Sequence, residues 1–421
     1  MKIVVVGKGG REHALLLALQ DSPTETELYC HPGSDAIAEL AERVEAKGVE
    51  ELVGWMLGKG IDLCIAGEES YLVKEEGLAN LCEKAGIPCW GPPKEGAQLE
   101  ASKAFAKEFM KRHDIPTGWA RVCDSLEEAR DAISGSYPTV LKFDGLAAGK
   151  GVAVCADEEA ANDFLGEVFG SRRFGEGRLL VEQFLEGPEV SIFAAVSGDS
   201  YQIFTPARDY KRIGEGDHGP NTGGMGAVAS RQLLTSEELA QIEETIVKPT
   251  VAGLVKDELN YKGFLYFGLM MTEEGAKVIE YNCRFGDPEC QAVMPLLTGD
   301  LVEYCLAGAR GELQPELLTF DEGWSVCVVL ASEGYPESSS SGDVITSLEQ
   351  VEGARVYHAG TKKQEEAGRE EWATAGGRVL AVVGGGKTRE VAVTLAHEQA
   401  AKITFEGSQR RADIGIMHFE G

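Results

Sequence analysis

Apolar positions in the first hundred residues come in short blocks, separated by longer segments of helical spacing. Ile3–Val6 reads as a strand, Glu12–Gln20 as a helix, Glu27–Cys30 as a short strand and Val49–Gly58 as a helix. Ile61–Ala66 then reads as a strand, Val73–Ala85 as a helix and Pro88–Trp90 as a last short strand. Strands alternating with helices predict a parallel sheet covered on both faces. Ligands of such sheets bind outside the carboxyl ends of the strands. Gly91-Pro92-Pro93 punctuates the pattern, which sets a boundary near residue 100. Beyond it the rhythm is mixed. Ser102 opens a helix, SKAFAKEFMKRH, ended by Ile115-Pro116-Thr117. A small strand-rich unit spans roughly 118–187, with strands Thr139–Phe143, Val152–Ala156 and Leu179–Val181 and a helix Asp157–Phe169. Further strands are predicted near 190–206, 264–271 and 277–285, with a helix Ser236–Glu258 between them. The last hundred residues carry strands Ser325–Ala331 and Arg378–Gly384 and a helix Thr388–Ile403. The run Ser338–Ser341 reads as a loop. The expected fold is multidomain, α/β and α+β. It has a parallel α/β domain (1–100), a central domain (101–323) with a small mobile lid (118–187), and a C-terminal α+β domain (324–421).

One predicted strand breaks the apolar rule. In Val278–Phe285 the two-residue alternation puts Glu280, Asn282 and Arg284 on one face and Ile279, Tyr281, Cys283 and Phe285 on the other. A carboxylate, an amide and a guanidinium make a poor core. They make a good platform for a hard cation and an anion, because oxygen ligands suit Mg²⁺ and a guanidinium forks onto phosphate or carboxylate. The bland alternative is a solvated strand face with an incidental ion pair. The acidic turn Gly286-Asp287-Pro288-Glu289 that follows weighs against it.

Composition narrows the classes. The chain has 421 residues, 43% hydrophobic and 26% charged, as in ordinary globular proteins. No apolar run approaches the length that spans a bilayer, and MKIVVVGKGG reads as a buried first strand, not a leader. The net charge of −29 and the lack of a basic stripe speak against nucleic acid as a partner. The ten cysteines are scattered without a CxxC pair. They read as reduced, buried thiols of a cytoplasmic protein, with no zinc motif.

Against that acidic background, several loops carry chemistry. Gly7-Lys8-Gly9-Gly10-Arg11-Glu12 joins the first strand to the first helix, but Glu12 stands where a dinucleotide fingerprint needs glycine. Such a turn can hold an anion on its free N–H groups, or it can simply be a tight turn. Lys142–Gly151 (KFDGLAAGKG) is not a Walker A loop, since its spacing is short, no Ser or Thr follows Lys150 and a strand comes next. A glycine-rich hairpin with two lysines can still cover a polyphosphate. Glu182-Gln183-Phe184-Leu185 ends a strand just before a linker, where a purine could find backbone groups and apolar cover. Asp209-Tyr210-Lys211-Arg212 precedes a glycine-dense loop, His218–Ala227, suited to close backbone approach.

Together these segments resemble the ATP-grasp superfamily and, within it, the phosphoribosylamine–glycine ligase family. The similarity is carried by GKGGREHAL, QLEASKAFAKEFM, DGLAAGKGV, GPNTGGMGA and RFGDPECQ, and continues through SVCVVLASEGYP, HAGTK and TAGGRVL. The resemblance implies a central ATP-grasp fold and the use of ATP, with Mg²⁺ or Mn²⁺, to join glycine to 5-phosphoribosylamine through glycyl phosphate, a step of purine synthesis. It implies ATP contacts at Lys103, Lys142, Gly149, Lys150, Gly151, Glu182, Phe184, Leu185 and Glu189. Glu280 and Asn282 would ligate the metal. Arg284 would neutralise the transferring phosphoryl group, and Asp209 would orient the glycine amine. Substrate contacts would come from Gly9, Gly10, Arg11, Glu12, Gly33, Glu69, Lys211, Asn221, Thr222, Gly223, Gly224 and Asp287. A monomer is expected. Several positions depart from the family pattern: Ser34 and Asp35 after Gly33, Glu68 before Glu69, Tyr210 after Asp209, and Phe143 after Lys142. Alternatives are an ATP-grasp ligase with another amine substrate, or a non-catalytic ATP-binding relative.

Overall fold

The computed structural model describes residues 1–147, 151–366 and 368–416. Gly149 and Lys150, both expected at the nucleotide, lie outside the described residues.

Four apolar residues in a row, Ile3 to Val6, are wholly buried and form the centre of an all-parallel five-stranded sheet. Its order is Glu42–Arg43, Glu27–Pro32, Lys2–Gly7, Leu63–Ala66, Cys89–Trp90. The strand order reverses beside Lys2–Gly7, so a crevice opens past the carboxyl ends of that strand and of Leu63–Ala66. Gly9–Glu12 and Glu68–Glu69 stand there. The predicted helix Val73–Ala85 is two helices, Ser70–Val73 and Leu78–Ala85. The chain turns extended at Lys74 and crosses Gly77 at φ +88°, where a Cβ would lie 2.6 Å from the Leu72 carbonyl oxygen.

The lid region is a four-stranded antiparallel sheet in the order Ala120–Cys123, Leu179–Gln183, Thr139–Phe143, Val152–Cys155. Two helices, Leu126–Ile133 and Glu158–Leu165, cover it, and it has a core of its own. The first strand and first helix went unpredicted because ARVC and LEEARDAI carry few apolar residues. Phe143 belongs to this core and packs on Phe174, so its ring turns away from the substrate side.

Nine of the remaining strands build one sheet, with Ser200–Ile203 paired to Glu189–Ser197 beside its main path, and the others form two-stranded pairs. Its path runs Gly275–Asn282, Lys262–Thr272, Glu189–Ser197, Ala207–Asp209, Gly226–Ala229, Trp324–Ala331, Arg378–Gly386, Arg355–His358. Trp324–Ala331 pairs directly with Gly226–Ala229, so the sheet continues across residue 323. The helix predicted at Ser236–Glu258 runs to Lys256, with a wider turn at Glu243–Val247. A buried helix, Leu301–Arg310, and a hairpin, Thr361–Glu366 with Arg369–Thr374, were not predicted. Among the described residues, no helix is long and apolar enough to cross a membrane.

The strand that carries the polar row ends at Asn282, not at Phe285. Pairing with Lys262–Thr272 sets Gly268 opposite Glu280 but Leu269 opposite Val278, which leaves Ile279 as an extra residue in a bulge. The bulge resets the alternation. Val278 and Tyr281 both face the core, while Ile279, Glu280 and Asn282 border the cleft. Arg284 reaches the same cleft from the bend beyond the strand. Phe285 stacks on Phe193 in a different apolar cluster from Cys283.

Candidate active site

The five-stranded sheet, the lid sheet and the nine-stranded sheet meet around a cleft of about 610 Å³. Its lining includes Gly9, Arg11, Glu12, Glu69, Lys103, Lys142, Gly151, Glu182, Asp209, Lys211, Thr222, Gly223, Glu280, Asn282, Arg284 and Asp287. Gly10, Gly33, Phe184, Leu185, Glu189, Asn221 and Gly224, also expected at the substrates, are not among its lining residues.

The lid end of the cleft is cationic. Ser102 caps the helix Lys103–Arg112, which places Lys103 and Lys107 one turn apart on one face. Lys107 Nζ lies 3.0 Å and Lys142 Nζ 3.1 Å from Glu182 Oε2. Lys142 also donates to the Ile279 carbonyl, in the bulge, at 3.1 Å. Lys103 donates to the Gly145 carbonyl at 2.9 Å. Burial pushes the Lys103 and Lys107 ammonium groups down in pKa, against the pull of Glu280 and Glu182. Glu182 thus enters through its side chain, where backbone contacts were expected. Its other oxygen, Oε1, is buried without a hydrogen-bond partner. Apolar cover here comes from Leu99, Met110, Leu146, Val152 and Ile279.

In the middle stand acids. Burial opposes ionisation of Glu280, but Lys211, Lys142, Lys103 and Arg284 hold its carboxyl below the ordinary range. Among the described residues, neither the Glu280 carboxylate nor the Asn282 amide has a protein hydrogen-bond partner. Their oxygen atoms are therefore available to a ligand. Asp209 is pushed up by burial, against Lys211, with the nearby Glu289 adding to the rise. Glu289 is likewise pushed up by burial and accepts from Ser191 Oγ at 3.2 Å. Lys211 is the cation among these acids, 2.7 Å from Glu189 and 3.9 Å from Asp209. Glu189, expected at the ribose, pairs with Lys211.

The far wall belongs to the five-stranded sheet. Glu12 folds back into the turn. Its Oε2 accepts from the Gly9 N–H at 2.7 Å and its Oε1 from Arg11 Nε at 2.6 Å. Gly7 and Gly67 leave room for it, since a Cβ on either would meet the Glu12 side chain at 2.5–2.6 Å. The anion at this turn is thus the protein's own carboxylate. Arg284 Nη2 lies 2.6 Å from Glu100 Oε1, and its Nε lies 3.0 Å from Glu69 Oε2. Burial favours the neutral form of Glu69, yet Arg284 and Arg11 bring its carboxyl down to about 2. Burial pushes Glu100 up to about 7, only partly offset by Arg284. Of the altered residues, Asp35 turns away to Arg43 and to the Lys363 N–H, whereas Glu68 lines the cleft and accepts from Ser70 Oγ at 2.7 Å.

The last segment of the chain also contributes. Arg378 Nη1 donates to the carbonyls of Gly223 (2.5 Å) and Asp287 (2.6 Å), and Nη2 lies 3.2 Å from Asp287 Oδ2. Gly224 is pressed against Pro288, with φ +114° and only 2.5 Å to the Pro288 Cδ for an added Cβ. Only glycine fits there. Sequence reasoning missed Glu100, Lys107, Glu289 and Arg378 as site residues. The available signals were the helical i,i+4 spacing of Lys103 and Lys107, the acid within the apolar QLEAS segment, and the arginine of TAGGRVL.

A nucleotide-sized cleft under a small antiparallel lid, with lysines at one end and an ionised carboxylate in the middle, defines an ATP-grasp ligase. Residues 1–100, 101–290 and 325–417 match the N, ATP-grasp (A) and C domains of phosphoribosylglycinamide synthetase. The phosphoribosylamine–glycine ligase of Caldanaerobacter subterraneus is 42% identical over 419 residues, covering 98% of this chain and 99% of that one. Its counterpart in Chlorobaculum tepidum is 40% identical, covering 99% of each. The crystal structure of the Thermotoga maritima phosphoribosylamine–glycine ligase superposes with a TM-score of 0.84 at 35% identity, covering 98% of this chain and 100% of that one. The chain belongs to the phosphoribosylamine–glycine ligase family.

Proposed function

We propose that this protein joins glycine to 5-phosphoribosylamine, consuming ATP and giving glycinamide ribonucleotide, ADP and phosphate. The observation that carries this reading is one cleft holding three lysines at the lid, the unpaired Glu280 and Asn282 at the centre, and Arg284 beside the Gly9–Glu12 turn. The glycine carboxylate attacks the γ-phosphoryl group of ATP, forming glycyl phosphate and releasing ADP. The sugar amine then attacks the acyl carbon and phosphate leaves. The protein's part is positioning and charge neutralisation.

Lys103, Lys142 and, added from the geometry, Lys107 face the nucleotide phosphates together with Gly151, and the resemblance adds Gly149 and Lys150 as ATP contacts. Glu182 Oε1 is free to accept from a nucleobase donor, with Phe184 and Leu185 beyond it. Glu280 and Asn282 would hold Mg²⁺ or Mn²⁺. Two oxygen donors fit a hard cation that keeps waters and phosphate oxygens in its shell. Bound there, it would offset phosphate charge. Asp209 and Glu289 form an acidic recess with a single lysine, and the glycine ammonium supplies the missing positive charge. Arg284 meets the acyl-phosphate oxygens. Lys8, Arg11, Thr222, Gly223, Asp287 and Arg378 form the wall for the phosphorylated sugar. We place the protein in the cytoplasm as a monomer.

The second reading is a ligase of this class with a different amine. Glu68 favours it, because it sets a carboxylate in the wall meant for a phosphorylated sugar. Phosphate release with ATP, Mg²⁺ and glycine, with and without freshly made phosphoribosylamine, separates the two. Absence of amine-dependent turnover removes the first reading. ATP binding without any turnover would instead point to a non-catalytic relative.

A further inference from the structure

All ten cysteines are free and buried, and three of them converge. Cys64 lies in the strand Leu63–Ala66. Cys89 lies directly beside it in the neighbouring parallel strand, so both side chains leave the sheet on one face. Cys82 comes from the helix Leu78–Ala85, which connects these strands and packs over that face. The three sulfur atoms all lie within 4.8 Å of one another. Cys64 and Cys82 are fully covered and Cys89 is 8% exposed. The surrounding core is apolar and includes Val53, Met56, Leu78 and Ile87. Among the described residues, this is the one group of three or more such side chains close enough to share an ion, and no histidine or carboxylate joins it.

Sulfur chemistry decides what such a group could hold. A metal–thiolate bond is about 2.3 Å, so three sulfurs around one ion stand about 4 Å apart. That is inside the limit observed here. Hard cations need oxygen ligands and are excluded. Structural zinc sites are almost always four-coordinate, and no fourth ligand is present. A sulfur-only, three-ligand site in an apolar pocket suits a soft d¹⁰ ion that accepts low coordination.

We propose that Cys64, Cys82 and Cys89 form a binding site for a soft monovalent cation of the Cu(I) class. Each thiol that ligates the ion gives its proton to solvent.

The test uses the full chain, reduced with a phosphine and kept anaerobic, with Cu(I) supplied as its bicinchoninate complex. One equivalent should move to the protein, with a thiolate-to-copper charge-transfer band in the ultraviolet. Cys82→Ala should weaken retention by about 100-fold or more, whereas Cys305→Ala, in a separate core cluster, should not. Copper-edge X-ray absorption on the loaded wild type should show three sulfurs at about 2.3 Å; this reading stands even where a variant fails to fold. The proposal is overturned by a wild type that leaves all copper with the chelator, by equal retention in Cys82→Ala, by nitrogen or oxygen in the copper shell, or by zinc held in preference to Cu(I).

Discussion

Replacing Glu100 with glutamine should reverse its effect on stability between acid and alkaline pH. Arg284 offers one positive charge to two carboxylates. Glu69 has the better claim, being partly open to solvent and close to a second guanidinium, Arg11. Glu100 is fully enclosed, with Arg284 at 2.6 Å and the Cys283 N–H at 2.6 Å. Those short contacts favour its anion, but burial and the neighbouring Glu69 charge outweigh them and raise the carboxyl from 4.5 to about 7. A group raised in the folded state stabilises fully below its unfolded value, and that contribution is lost as pH climbs through the folded value. At about 1.4 kcal/mol per pH unit, the wild type gives up roughly 3 kcal/mol between pH 4.5 and 7. Glutamine does not titrate. At pH 4.5 it costs about 1 kcal/mol, because its amide group faces donors where the acid offered oxygen. By pH 8 the variant should equal or exceed the wild type by roughly 2 kcal/mol. The assay is urea unfolding of both proteins, followed by far-ultraviolet circular dichroism over pH 4.5–8. A gap that stays constant, or that widens against the variant as pH rises, would refute the account and make Glu100 an ordinary ionised partner of Arg284.

Glu69 should behave in the opposite sense. Its carboxyl is held at about 2, so its contribution is present above pH 4.5 and lost as pH falls towards 2. With the same assay extended from pH 4.5 down to pH 2, the penalty of Glu69→Gln should therefore shrink on acidification, and a penalty that stays constant across that acid range would count against the pairing. Arg284→Ala should lower kcat at least about 100-fold with ATP affinity by calorimetry nearly unchanged, and a wild-type rate would remove its assigned role. Lys142→Met should weaken ATP binding about tenfold or more, since Lys107 and Glu182 then remain as a self-contained pair; unaltered affinity would place the phosphates elsewhere. Arg378→Ala should raise KM for the amine substrate and leave that for ATP unaltered, because Arg378 braces Gly223 and Asp287 at the far wall; a change in the ATP value alone would reverse that placement.

What could be read from the sequence follows from how far each feature depends on distant partners. The Gly7–Glu12 turn, the capped helix from Lys103 and the acid–amide pair on Gly275–Asn282 are local, and spacing was enough to expose them. The polar row is the instructive case. Glu280 and Asn282 share the cleft through the expected alternation, Arg284 joins them from the bend beyond the strand, and a bulge just before the row brings Ile279 to the cleft, where the apolar face was expected. The bulge at Ile279 exists only because Gly268 and Leu269 fix the register across the strand pair, and nothing within Val278–Phe285 announces it. It also frees the Ile279 carbonyl that Lys142 uses, so one misaligned residue links the lid lysine to the strand of Glu280 and Asn282. Glu100 and Arg378 were hidden for the same reason: each is an ordinary residue of its own segment until Arg284 or Asp287 arrives from far along the chain. Cys64, Cys82 and Cys89 show the limit most plainly. Their spacing of 18 and 7 residues matches no motif, but a strand–helix–strand crossover must set the end of one strand beside the next, with the connecting helix on top. Ligand sets assembled by such a crossover are therefore invisible to local spacing rules, and become legible only once the parallel pairing of Cys64 with Cys89 is known.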